Sequence, residues 1–204
     1  MAKQKKRLAM SEAKWLAHTD PVRMVQFVLN HPRASPRVLR LYMAAFWTWQ
    51  AGRLQTLPEQ NRLRKRAALA EKWAETGKRP RAARNSSAVF LDEDAYAAAL
   101  KTARAPTTWG EHGIDATTVQ PPLLRELFGP HPFRTLVANP EWLTSTVIAL
   151  AQGIYEERAF DRMPILGDAL QDAGCADEDI LNHCRSEGLH VRGCWLVDLL
   201  LGTT

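Results

Sequence analysis

Apolar positions recur along this chain at the helical interval, and a capping residue stands where each recurrence begins. Ser11 precedes a short segment running to about Ala17. Asp20-Pro21 sets a capping carboxylate and an N1 proline ahead of Met24, Val25, Phe27, Val28 and Leu29, and Pro32 closes that stretch. Ser35-Pro36 repeats the device before Val38, Tyr42, Ala45, Phe46 and Trp49, which share one face at the 3.6-residue period. Thr56-Leu-Pro-Glu59 fits a capping box, in which hydroxyl and carboxylate each satisfy a free backbone N–H. Behind it Leu63, Ala67, Ala70 and Ala74 form a narrow stripe that Gly77 ends, and Asp92 predicts a further helix carrying Tyr96 and Leu100.

Residues 105–122 are rich in Pro, Gly and Thr and break the pattern, so they are expected to form a linker. Beyond them a short helix is predicted over 123–128, stopped by Gly129-Pro130, and four helical segments follow. Thr144 or Ser145 caps the first, to about Phe160, with Val147, Leu150, Ala151, Ile154 and Tyr155 inward. Pro164 opens the second, whose buried side is expected to be Ile165, Leu166, Ala169, Leu170 and Ala173. Asp177, Glu178 and Asp179 sit at the start of the third, where the helix dipole favours carboxylates, and the fourth spans 193–201. No run of alternating β-branched residues interrupts this. The pattern predicts an all-α protein, a bundle of about eight helices, with an N-terminal lobe over 1–104 and a C-terminal unit over 123–204.

Composition sharpens the division. Residues 1–110 hold 21 Lys/Arg against 8 Asp/Glu, a net of +13, whereas 111–204 hold 6 against 14, a net of −8. A one-sign face concentrates opposite-sign ligands, so the first half is a basic lobe and the second an acidic one. Apolar residues make up 46% of the chain, enough for a packed core, and no apolar run approaches the roughly 20 residues a membrane helix needs. The basic opening Met1-Ala-Lys-Gln-Lys-Lys-Arg7 has no long apolar stretch behind it and is not expected to be a secretory signal. Three cysteines fit a reducing cytoplasm better than a disulfide framework. The seven tryptophans are scattered, as bulky core fillers would be.

Candidate chemistry is sparse. Cys175, His183, Cys184, His190 and Cys194 lie within twenty residues and are suitable zinc donors. Their spacing lacks a C-x2-C knuckle, adjacent His183 and Cys184 diverge by about 100° on a helix, and Cys184 falls on the Ile180 stripe. Reduced packing residues are the favoured reading, and no metal or cofactor is expected. Asp198 interrupts the apolar run 195–201 and needs a partner, with Arg158, Arg162, Arg185 and Arg192 the C-terminal candidates. Asp168 and Asp172 lie one turn apart on a polar face, and Glu111, His112 and Asp115 share a loop; both groups read more simply as solvated charge. Arg62, Arg64, Lys65, Arg66, Lys72, Lys78, Arg79, Arg81 and Arg84 form a basic stretch suited to nucleic acid or an acidic partner. Glu59, Glu71 and Glu75 interleave with it, and 78–88 is expected to be an exposed loop. No phosphate loop, H-E-x-x-H or nucleophile elbow is present.

Two segments carry a resemblance. Ser11-Glu-Ala-Lys-Trp-Leu-Ala-His-Thr-Asp-Pro21 with Leu39-Arg-Leu41 is similar to the opening of a large paralogous family of planctomycete proteins. The ending resembles that family more specifically, through Ile154-Tyr-Glu-Glu-Arg-Ala-Phe-Asp-Arg162, Asp172-Ala-Gly-Cys175, His183-Cys-Arg185, His190-Val-Arg-Gly-Cys-Trp195 and Asp198-Leu-Leu-Leu-Gly202. Residues 51–120 lie outside it. The family carries no assigned activity, so the resemblance implies a bacterial cytoplasmic setting and transfers no catalytic residue. The chain therefore reads as a non-enzymatic interaction module with a protein partner. A nucleic-acid-associated protein using 62–84 is one alternative, and an enzyme with a site near His190, Arg192 and Asp198 is another.

Overall fold

A computed structural model describes residues 10–84, 88, 91–105 and 118–203, and among them every regular element is helical. The chain divides into two units, Met1–Arg125 and Glu126–Thr204.

In the first unit α1 (Glu12–Ala17), α2 (Pro21–Val28) and α3 (Pro36–Ala51) begin where the capping residues place them. Ser11 Oγ accepts from the Lys14 N–H, the Asp20 carboxylate from Val22 and Arg23, and Ser35 Oγ from Val38. The Arg125 guanidinium in turn donates to the Trp15 and His18 carbonyls at the end of α1. α3 is the central element. Besides Val38, Tyr42 and Phe46 it buries Leu39, Leu41, Met43, Ala44 and Trp47, so it is covered on more than the single face its pattern predicts. It packs against α4 (Leu57–Thr76) and α5 (Ala95–Ala103), and α2 packs against α5.

Two local expectations are corrected. The Thr56 hydroxyl donates to the Glu59 carboxylate and makes no bond to a backbone N–H, so no capping box forms. Asp94, not Asp92, caps α5, accepting from Tyr96 and Ala97, while Asp92 accepts from the Asp94 N–H. The first carboxylate is spent on a turn and the second does the capping.

α6 (Gln120–Phe128) begins within the segment expected to be a linker, and the boundary between the units falls inside it, after Arg125. The second unit continues with α7 (Ser145–Glu157), α8 (Met163–Asp172), α9 (Glu178–Arg185) and α10 (Trp195–Leu201). Ten α-helices thus stand among the described residues, against about eight expected. α8 contacts α7 and α9, and α10 contacts α7, enclosing Val147, Ala151, Ile154, Leu166, Leu170, Ile180, Leu196 and Leu200. Ile165 is 54% exposed, contrary to its expected burial. The inward arc of α8 is Met163, Leu166, Gly167 and Leu170, because Gly167 lets α9 approach: a Cβ there would lie 2.8 Å from Cys184 Cβ. Among the described residues, no helix is long and apolar enough to cross a membrane.

Candidate functional site

Three of the five Cys/His candidates converge in the second unit, on a carboxylate that sequence spacing does not reveal. α9 carries His183 near its C-terminal end, the following loop supplies His190, and Cys194 is the residue before α10. Glu126 joins them from α6. One donor atom from each of Glu126, His183, His190 and Cys194 lies within 4.8 Å of all the others. His183 Nε2 is 3.1 Å from Cys194 Sγ and 3.5 Å from Glu126 Oε2, and His190 Nδ1 is 3.2 Å from Glu126 Oε1. The set is shielded, with side-chain exposures of 15%, 7% and 5% for His183, His190 and Glu126, and Cys194 fully buried.

Burial sets the protonation of these groups. It pushes His183 down to about 4, against the pull of Glu126, so the ring is neutral near pH 7. Trp195 Nε1–H donates to His183 Nδ1 at 3.3 Å, which leaves the ring proton on Nε2, facing Cys194 and Glu126. Burial also depresses His190, but the Glu126 hydrogen bond and charge, with the Ser186 backbone, more than offset it and the net shift is upward. Cys194 is held well above an ordinary thiol by burial and then by Glu126. His190 Nε2 is buried without a hydrogen-bond partner among the described residues.

The other two cysteines are elsewhere. Cys184 packs at the α8–α9 crossing and burial pushes its thiol up to about 12, while Cys175 is buried where the chain leaves α8. Asp198 is 1% exposed and accepts a hydrogen bond from the Thr203 hydroxyl. Arg192 donates to the Tyr155 and Glu156 carbonyls at the end of α7, and its guanidinium lies over the Tyr155 ring. Arg162 pairs with Glu157, and Arg185 with Asp168 and Gln171. An open pocket of about 340 Å³ between α8 and the loop after α9 reaches His190, but neither Arg192 nor Asp198 lines it. The three residues of the enzyme reading therefore do not share that pocket. Glu111, His112 and Asp115 lie outside the described residues, as do residues 85–87 of the basic loop.

The first unit arranges the basic stretch differently from its sequence order. Arg62, Arg64, Lys65, Lys72, Lys78, Arg81 and Arg84 are exposed, and Arg66 is half-buried. Arg79 is drawn inward: it bonds the Glu93 carboxylate at 2.5 Å and the Ala83 and Leu91 carbonyls, and Ala83 is wholly buried. The start of the 78–88 segment is accordingly anchored through Arg79 and Ala83, while Lys78, Arg81, Ala82 and Arg84 are exposed, as expected of that segment. Arg37 pairs with Glu75. Arg40 is only 3% exposed, stacks 3.4 Å from the Trp73 ring centre and donates to the Asp92 and Glu93 carbonyls. Burial, and next the charge of Arg79, lower Arg40 to about 10, so it stays cationic near pH 7. The arginines at the start of α3 thus serve the packing of their own unit.

No family model matches the chain, and neither a curated protein nor a solved structure matches it.

Proposed function

We propose that the chain is an interaction module that docks a nucleic-acid phosphate backbone on the outer face of α4. The observation that carries this reading is where the interleaved acids go. The Glu59 carboxylate takes the Thr56 hydroxyl, Glu71 is 8% exposed on the inward side, and Glu75 pairs with Arg37. Glu71 is thus withdrawn and Glu75 is paired, while Glu59 stays exposed at the start of α4; beyond it Arg64, Lys65 and Lys72 stand around Ala68 on the exposed arc, Arg62 flanks them, and none of these four has an ion-pair partner among the described residues. Arg62 to Lys72 covers about 15 Å of helix, the span of several phosphates.

An acidic protein would draw most of its affinity from buried aromatic or aliphatic anchors. The arc from Asn61 to Lys72 offers charge and alanine instead, which suits a phosphate backbone and gives no sequence readout. A cytoplasmic setting, where nucleic acid is abundant and thiols stay reduced, agrees with three free, buried cysteines.

Fluorescence anisotropy with random-sequence single-stranded and duplex oligonucleotides tests this across a salt series. Binding should weaken linearly on a log–log plot, and each of Arg64→Ala, Lys65→Ala and Lys72→Ala should lower the duplex slope by about 0.9. No binding at low salt, a slope unchanged in the triple variant, or preference for an acidic polypeptide over both oligonucleotides would overturn it.

A further inference from the structure

We infer that Glu126, His183, His190 and Cys194 form a closed, four-ligand site for a zinc-class divalent ion. Donor spacing is the first argument. Four donors about 2.0–2.3 Å from a tetrahedral ion lie about 3.3–3.8 Å from one another. His183 Nε2 is 3.1 Å from Cys194 Sγ, each histidine lies 3.2–3.5 Å from its own oxygen of the Glu126 carboxylate, and one donor atom from each of the four residues is within 4.8 Å of the others, a spacing that a small side-chain adjustment closes onto an ion.

Donor chemistry is the second. One thiolate, two imidazoles and one carboxylate suit a borderline ion, whereas magnesium and calcium require oxygen shells. Charge is the third. A carboxylate and a thiolate with two neutral imidazoles neutralise a divalent cation, so the loaded site is uncharged in a buried setting where net charge is costly. The ion would displace the Cys194 thiol proton and the proton held between Glu126 and His190. His190 Nε2 would then carry the outer N–H, and the Ser186 backbone is the acceptor close to that ring, the kind of partner a ligating histidine uses.

The site is structural in type, because four protein donors fill the tetrahedron and leave no position for water or substrate. It joins α6, the end of α9 and the start of α10. Binding at His183 Nε2 moves that ring's proton to Nδ1, where Trp195 Nε1–H now points, so the 3.3 Å contact must open on loading. Trp195→Phe removes this conflict and should tighten metal binding.

The test is metal content of the full chain after refolding with excess zinc, together with visible absorption of the cobalt(II)-substituted protein. Stoichiometric zinc, an intense tetrahedral cobalt spectrum with a thiolate charge-transfer band, and a melting temperature lowered by chelator are expected. Cys194→Ser should abolish the charge-transfer band, and Glu126→Gln, which keeps the side-chain shape, should release the metal. Cys175→Ser should retain both signals. Absence of stoichiometric metal with a melting temperature indifferent to chelator would overturn the inference. So would an unchanged cobalt spectrum in Cys194→Ser, or its loss in Cys175→Ser when that variant melts like the parent chain.

Discussion

Replacing Gly129 by alanine should destabilise the second unit through two separable effects. Gly129 ends α6 with φ at +51°, the left-handed region in which an L side chain costs about 1–2 kcal/mol. A Cβ there would also lie 2.5 Å from Trp195 Cγ and 2.7 Å from Cδ1 and Cδ2. Those atoms are the root of a large ring that is 3% exposed, so the indole cannot swing aside as the tip of a flexible side chain would. Overpacking of that kind costs about 1–3 kcal/mol, and the two effects together give about 2–5 kcal/mol. Gly202→Ala and Gly174→Ala are the controls. Their φ values are +64° and +87°, with nothing within 4 Å of an added Cβ, so they carry the backbone cost alone. Urea unfolding followed by circular dichroism should place Gly129→Ala about 1–3 kcal/mol below either control, at an unchanged m-value. If Gly129→Ala proves no more damaging than Gly202→Ala, Trp195 is not seated on residue 129. The placement of its indole 4.9 Å from the His183 ring would then fail with it.

Three further outcomes are expected. Arg40→Ala should cost about 3–5 kcal/mol by stripping the Asp92 and Glu93 carbonyls of a charged donor and Trp73 of its cation, and Arg40→Lys should recover under half of that, since an ammonium cannot reproduce the fork; denaturant midpoints check both. Gly167→Ala should lower stability by about 1–3 kcal/mol, and adding Cys184→Ala should not rescue it, because the conflict is with Cys184 Cβ and not its sulfur; a thermal melt of the double variant that returns to the parent value refutes this. Cys184, fully buried with its thiol pushed up to about 12, should resist disulfide reagents at pH 8 until the chain unfolds; rapid labelling mapped to residue 184 in the folded protein would contradict its placement.

Helix existence was legible in the sequence because its signals are local. A capping side chain acts on backbone donors two or three residues away, so Ser11, Asp20, Ser35, Thr144 and Asp177 mark the starts of α1, α2, α3, α7 and α9 without reference to anything distant. Gly77 ends α4 for an equally local reason, its φ of +64°. The all-α class follows from these signals and the helical period alone.

What each helix faces was decided only by tertiary structure. Ile165 and Gly167 are two residues apart on α8, and hydrophobicity would bury the first. Close approach of α9 buries the second instead. Glu71 and Glu75 look in sequence like charges that dilute the basic stretch, and only folding shows the first turned into the interior and the second paired with Arg37. The Cys/His group was visible as a set of donors, but which of them converge was not. Glu126 stands far from the others in the chain and carries no local mark, whereas Cys175 and Cys184, near in sequence, are turned into the core. Capping and periodicity are short-range and can be read along the chain. Burial and donor convergence depend on residues tens of positions apart, and those meet only when the helices pack.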